Sequence, residues 1–326
     1  MLGLHYKTYS DLLIDIKKNI NKLPSGIDLV VGVPRSGMIP AYMIGFALNT
    51  KVCSFDEFMY DIDVTHGQRP LKEPGNTVLI VDDSSCGGNS MKRVKQALPA
   101  KDTSNKRIYF AAVYVTEEAK QYVDSWFVFL PPPRMFQWNY MNHGYIERSC
   151  FDIDGVLCVD PAEEENDDGD NYRHFIRTAK PLYIPRYKIY ALVTSRLEKY
   201  RKETEQWLEQ NNVQYEHLYM LDLPGKEERI RLNAHAKFKA EIYRRLGDAV
   251  LFYESSVSQA HEIATITQKA VFCVETDELV KNPVNFSTQG MSKKQKIKKI
   301  VKKVLKIILF KKSWRKRIRE IIKRTN

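Results

Sequence analysis

The chain has no CxxC pair; its five cysteines, Cys53, Cys86, Cys150, Cys158 and Cys273, are scattered over 326 residues. That spacing argues against a disulfide framework or a zinc site and favours a reduced, cytoplasmic compartment. No apolar run approaches the roughly 20 residues of a membrane span. The opening MLGLHYKTYSDLL lacks the basic-then-apolar pattern of a signal peptide. There is no internal repeat. A net excess of basic charge is also missing from most of the chain, although the formal net charge is +11. Residues 291–326 carry 16 lysines and arginines against one acid, Glu320, which leaves 35 basic and 39 acidic residues in 1–290, a net −4. A mildly acidic body with no spread basic face argues against nucleic acid as its partner.

What is present is an alternation of short, branched apolar runs with helical segments, in a chain that is 43% hydrophobic and long enough for two domains. A helix is expected from near Ser10, a strand at 28–33, a loop at 34–37 and a helix from Pro40. Strands come next near 78–81, 108–115 and 126–130. A second alternation gives a strand at 188–193, a helix at 197–211, a strand at 215–221, a helix at 236–246 and a strand at 249–253. The acidic stretch EEENDDGD at 163–170 reads as an exposed loop. The expected fold class is α/β with two domains, 1–148 and 149–290, each a mainly parallel sheet flanked by helices. A basic amphipathic helix is expected over 291–326.

The most informative stretch of the first half is VLIVDDSSCGGNSM at 78–91. An unbroken apolar strand delivers the residues after it to the carboxyl edge of a sheet, where open α/β folds bind ligands. Asp82 and Asp83 would arrive there together. Gly87 and Gly88 would let the backbone turn tightly and offer its amides to an anion beside a helix start. Carboxylates for hydroxyls or metal, with an amide cradle after them, describe a site for a phosphorylated sugar. An ordinary strand–turn–helix with acidic capping would give the same spacing.

This stretch resembles the phosphoribosyl-diphosphate signature of type I phosphoribosyltransferases. The resemblance implies that Asp82 and Asp83 address ribose hydroxyls and Mg²⁺, that Ser84 shapes the turn, and that Cys86, Gly87, Gly88, Asn89 and Ser90 hold the 5-phosphate. Ser85 stands where the family has an apolar residue, and Gly87 where a hydroxyl residue is common. VVGVPRSGMIPA is similar to the family's pyrophosphate loop, with Arg35, Ser36 and Gly37 as its contacts. DIDVTHGQRPL is similar to its mobile loop, with Arg69 as the basic contact. In PPPRMFQWNYMNH at 131–143, Phe136, Trp138 and Tyr140 would either stack a planar base or sugar ring, or form an aromatic cluster that closes the domain.

The second half carries separate chemistry. FDIDGVLCVD resembles the first motif of the haloacid dehalogenase superfamily, whose Rossmann-like domain includes aspartyl phosphatases. The resemblance makes Asp152 the nucleophile and Asp154 the general acid and base. Thr194 in ALVTSR would hold the phosphate, and Lys239, rather than Lys237, would be the motif-three lysine. Metal ligation would rest on Asp152, the Asp154 carbonyl and Glu254 of LFYESS, a hard-oxygen set suited to Mg²⁺.

In the tail, Ile297, Ile300, Val301, Val304, Ile308, Trp314, Ile318, Ile321 and Ile322 recur every three or four residues among lysines and arginines. That is the pattern of a helix lying on an anionic membrane surface. A solvated charged helix and an RNA-binding arm are the alternatives. Together these parts resemble fused phosphoribosyltransferase–phosphatase proteins of bacterial polysaccharide assembly. The implied activity is transfer of 5-phosphoribosyl from phosphoribosyl diphosphate to a glycan acceptor, expected to be lipid-linked. Removal of the 5-phosphate would then leave ribofuranose, on the cytoplasmic face of the membrane. A nucleobase phosphoribosyltransferase fused to a nucleotidase is the main rival, and a non-catalytic sensor of phosphoribosyl diphosphate is a second.

Overall fold

The structure, a computed structural model, describes residues 4–62 and 75–280. Arg69 and the basic tail lie outside the described residues. The first part contains β1 (His5–Lys7), α1 (Tyr9–Asn19), β2 (Leu29–Gly32), α2 (Met38–Leu48), β3 (Lys51–Ser54), α3 (Phe55–Met59), β4 (Thr77–Ser85), α4 (Asn89–Ala97), β5 (Arg107–Val115), β6 (Ser125–Phe129) and β7 (Arg134–Phe136). The second contains β8 (Ser149–Phe151), α5 (Asp170–Thr178), β9 (Ile189–Leu197), α6 (Arg201–Gln210), β10 (Tyr215–Leu221), α7 (Lys226–Arg231), α8 (Ala234–Arg245), β11 (Leu251–Glu254), α9 (Val257–Thr267), β12 (Ala270–Cys273) and β13 (Glu278–Val280).

Strands β3-β2-β4-β5-β6 form one sheet, parallel throughout. Strands β10-β9-β8-β11-β12-β13 form another, parallel except for the β13 edge. Each central strand is buried on both faces because alternate side chains feed cores on opposite sides. Val30, Leu79, Val81 and Val113 pack with α1 and α2, while Val31, Val78, Ile80 and Ala112 pack with α4. In the second sheet Phe151, Leu192, Leu251 and Tyr253 face one core, and Cys150, Val193, Phe252 and Val271 the other. The strand order reverses direction between β2 and β4 in the first sheet and around β8 in the second. These are the switch points where such sheets open a crevice.

Three expectations are corrected. β4 runs to Ser85, so Asp82 and Asp83 lie within the strand, held by the β5 ladder that pairs Asp82 with Ala112 and Ser85 with Val115. β9 likewise runs to Leu197, which makes Thr194, Ser195 and Arg196 strand residues. The acidic stretch is a loop through Gly169, but it runs into a helix that was not expected, α5, which Asp170 opens. Asp167 Oδ1 accepts the Tyr172 amide at 3.0 Å, and Asp168 accepts the Lys226 amide at 2.9 Å and the Tyr200 hydroxyl at 2.9 Å. The density of acids there hides the apolar face Tyr172, Phe175 and Ile176 that buries the helix.

A short parallel ribbon, β1 with β7, and the segment after it lie against the second sheet. Tyr6 meets the Phe272 ring edge-on at 5.4 Å, and Tyr140 lies 4.9 Å from the same ring. His143 seals this junction. Its Nδ1 accepts the Tyr145 amide at 3.1 Å, so Nε2 carries the proton and donates to the Tyr253 hydroxyl at 2.9 Å. That hydroxyl donates to the Tyr140 carbonyl at 2.7 Å. A second ring proton would face the Tyr145 N–H, and burial pushes the His143 pKa down to about 4. The unfolded chain therefore binds this proton first, so the neutral contact contributes fully above about pH 6.5 and is lost as pH falls toward 4. The stability advantage of the native protein over His143→Gln should shrink by about 2–3 kcal/mol between pH 7 and pH 4. Urea melts at both pH values check this, and a pH-independent difference would contradict it.

Candidate active sites

At the first switch point the loop after β2 is pressed onto β4. A side chain at Gly37 would place its Cβ 2.4 Å from the Val33 carbonyl and 2.9 Å from that of Val81, so only glycine lets the loop lie so close. Ser36 therefore reaches across and donates to Asp83 Oδ1 at 2.7 Å. Asp83 Oδ2 receives the Trp138 indole N–H at 2.6 Å. Asp82 Oδ1 accepts the Asp83 amide at 2.9 Å, and Ser90 on α4 bonds the same carboxyl. Burial, then the neighbouring Asp83, holds the Asp82 pKa well above the usual carboxylate range. Neither acid is salt-bridged among the described residues, so the pair is an unneutralised, buried oxygen cluster. Such a cluster fits a hard divalent cation or sugar hydroxyls.

Beyond β4 the chain turns through Cys86 to Gly88; Ser84, expected to shape this turn, lies instead within the strand, paired with Tyr114. The Thr116 hydroxyl donates to the Cys86 carbonyl and ties the turn to β5. Gly88, at φ 78°, precedes the first turn of α4, which opens with Asn89 and Ser90; a Cβ there would enter the Tyr122 ring. Nothing lies within 4 Å of a Cβ at Gly87, so the absence of a hydroxyl residue there is no steric demand. Arg35 and Cys86 are exposed at the rim. Of the aromatic trio, Phe136 is buried and stacked 4.9 Å from Trp138, and Tyr140 belongs to the junction with the second sheet. Only Trp138 is turned to the acids, through its N–H rather than its ring face.

The second site lies where β8 ends. Asp152 and Glu254, at the ends of neighbouring β8 and β11, are both bound by the fully buried ammonium of Lys239, at 2.5 and 2.8 Å; Gln259 Oε1 accepts its third proton at 3.0 Å. Lys237 is exposed. Burial drives the Asp152 pKa up to about 7 against the pull of Lys239. With Asp152 ionised the triad keeps one net negative charge, and two carboxylates with the Asp154 carbonyl are hard-oxygen donors that fit Mg²⁺ completed by water. The Asp154 carboxylate is engaged elsewhere: Arg196, wholly buried, donates to it from Nη2 at 2.6 Å and from Nε at 3.2 Å to both oxygens. Among the described residues no three acidic, histidine or cysteine side chains have metal-ligating spacing. Thr194 is buried, with Oγ1 accepting the Arg196 amide at 3.3 Å, whereas its neighbour Ser195 lines a cavity of about 520 Å³ with Asp152, Asp154 and Lys239.

Arg196, Ser195, Gln259 and Arg229 were not read from the sequence as site residues. Arg196 was legible in principle, as the one cation at the end of an apolar strand. Arg229 sits in the charged run KEERIR of α7, where nothing distinguishes it from its neighbours.

No protein-family profile matches the chain, and no curated protein matches it. Among solved structures, the Helicobacter pylori xanthine-guanine-hypoxanthine phosphoribosyltransferase is similar at 19% identity over 42% of this chain and 92% of that one, with a TM-score of 0.32. A purine phosphoribosyltransferase from Pyrococcus horikoshii is similar at 23% identity over 42% and 94%, with a TM-score of 0.32. A chain of the Pnkp1/Rnl/Hen1 complex is similar over 84% of this chain and 88% of its own, at 15% identity and a TM-score of 0.28.

The Trp138 bond to Asp83 can be removed without losing the ring. Trp138→Phe keeps the stack on Phe136 but leaves one lobe of a buried carboxylate unpaired, a loss of roughly 1.5–3 kcal/mol for a bond to a charged group. The Trp138→Phe protein should be less stable than the native one by that amount; urea melts at pH 7 check this, and an unchanged stability would contradict the bond to Asp83.

Proposed function

We propose that the chain is a bifunctional enzyme that transfers 5-phosphoribosyl from phosphoribosyl diphosphate to a glycan acceptor and then removes the 5-phosphate. The observation that carries this reading is the pairing of two buried carboxylate sites, each at the carboxyl edge of its own parallel sheet. One lies beside a glycine turn and helix start suited to phosphate, and the other is clamped by a lysine. At the first site Asp82 and Asp83 hold the ribose hydroxyls as C1 gains positive charge. The acceptor hydroxyl oxygen bonds to C1 as the C1–O bond to the diphosphate breaks, and the hydroxyl proton passes to solvent. Arg35 and the amides of the Ser36–Gly37 turn face the departing diphosphate. Mg²⁺, held by Asp82 and Asp83 in one site and by Asp152, Glu254 and the Asp154 carbonyl in the other, would offset phosphate charge.

At the second site an Asp152 oxygen attacks phosphorus, the bond from phosphorus to O5 breaks, and O5 takes a proton from Asp154, whose carboxyl must first be protonated and turn from Arg196 toward the cavity. Water then gives a proton to Asp154 and attacks the aspartyl phosphate, which frees inorganic phosphate and restores Asp152. The order suits attachment of plain ribofuranose, since the phosphate needed on the donor is surplus on the product. It suits nucleotide making poorly, since the monophosphate would be destroyed at once. The burial of Phe136 and the packing of Tyr140 also remove two of the three rings that would have stacked a base. Lipid linkage of the acceptor is inferred from the tail: each cation near an anionic surface contributes about 1 kcal/mol, so partial engagement of the 16 is ample. Among the described residues no helix is long and apolar enough to cross a membrane.

Asp152→Asn should leave transfer intact and stall the product as its 5-phosphate ester, whereas Asp82→Asn with Asp83→Asn should abolish transfer and spare hydrolysis of a supplied phosphoribosyl-glycan. Mass spectrometry of the products separates the cases, and loss of phosphoribosyl diphosphate consumption in Asp152→Asn would refute two independent sites. Deleting residues 291–326 should release the protein from anionic vesicles at low salt while activity on a soluble acceptor survives. Equal sedimentation of intact and truncated protein would remove the membrane role, and tight RNA binding by the tail would replace it.

A further inference from the structure

On the wall of the cavity above Asp152, Ser195 Oγ and Arg229 Nε are both enclosed, and both lack a hydrogen-bond partner among the described residues. The two residues are 8% and 7% exposed, and both line the cavity of about 520 Å³ with Asp152, Lys239 and Tyr172. Arg229 is fixed in place, because its Nη1 donates to the Ser195 carbonyl at 2.8 Å. No carboxylate pairs with it among the described residues. The other cation of the cavity, Lys239, is already shared between Asp152 and Glu254. His235, also on the wall, is kept neutral near pH 7, its pKa lowered to about 4 by burial and then by Arg229 and Lys239. A buried guanidinium edge and a buried hydroxyl left open on the same wall are costly unless a ligand completes them. A planar N–H donor without a counter-charge matches an oxyanion.

We propose that Arg229 and Ser195 form the anion-binding pole of this cavity and take the non-bridging oxygens of a phosphomonoester carried on an uncharged, hydroxyl-bearing body. The rest of the charged wall restricts what that body can be. Asp154, Asp160 and Glu275 line the same space, so one unpaired cation faces one phosphate, and a second anionic group on the substrate would meet carboxylates. The substrate class rests on the phosphatase reading above; the anion site does not.

The test uses the full chain with Mg²⁺ and inorganic phosphate as the probe, read by calorimetry, alongside hydrolysis of methyl ribofuranoside 5-phosphate. Phosphate held by the Gly87–Gly88 turn would appear as a component that substitutions in the second site leave unchanged. The component lost on substitution reports Arg229 and Ser195. Arg229→Gln and Ser195→Ala should each weaken that component about tenfold or more and raise KM for the ester more than they lower kcat. Ser195→Ala removes an atom with no protein partner, so it is expected to fold even if Arg229→Gln does not. Unchanged phosphate affinity in every variant that folds, or no phosphate bound by the native chain, overturns the proposal. Phosphate binding that depends on Arg229, in a protein that hydrolyses no phosphomonoester, would uphold the anion site and refute the phosphatase reading instead.

Discussion

Buried carboxylates must be compensated, and the rest of this structure is arranged around how that is done. Lys239 is the clearest case. Its ammonium, fully enclosed, lies between Asp152 and Glu254 and lets two acids share the floor of a cavity. Leaving either acid there alone would cost several kcal/mol, since a lone buried charge cannot recover its hydration. The compensation is incomplete by one charge, which leaves a site able to attract a cation. Arg196 plays the corresponding part for Asp154 and fixes its orientation by three hydrogen bonds.

The first sheet solves the same problem without an ion pair among the described residues. Asp83 is stabilised by neutral donors, Ser36 and Trp138, and Asp82 by an amide and Ser90. Burial and the neighbouring Asp83 raise the Asp82 pKa, and the amide and Ser90 bonds offset this only in part. Two buried carboxyls with no ion pair among the described residues are suited to receive Mg²⁺ and ribose hydroxyls from solution. The two sites meet structurally in the segment after β7. Trp138 bonds an acid of the first sheet, while Tyr140 and His143, two and five residues on, bond Tyr253 of the second. This short stretch closes one site and is packed into the core of the other.

How much of this was legible in the sequence depended on whether the signal was local. The apolar run that ends in Asp82–Asp83 marked the central strand of the first sheet, because a parallel central strand has no polar face to obscure it. Ser149, Cys150 and Phe151 are too short a run to mark β8, and only the motif resemblance pointed to Asp152. Lys239 falls on the buried face of α8 with Ala236, Ala240 and Tyr243, and Lys237 does not, a periodicity that the sequence carries. The ends of β4 and β9 were not legible, because hydrogen bonds from β5 and β10 carry the strand through residues whose own preference is for turns. Helix α5 was hidden by its acidic flank. Arg229 could not have been found at all: its lack of a carboxylate partner among the described residues exists only once α7 is laid over Ser195.

The central claim is that one chain performs two steps in order. The direct measurement is a time course with phosphoribosyl diphosphate, Mg²⁺ and a panel of glycan acceptors, read by mass spectrometry. A phosphoribosyl adduct should appear first and be replaced by the ribosyl adduct with release of inorganic phosphate. A phosphoribosyl adduct that persists with the native protein, or diphosphate release onto nucleobases alone, would contradict it.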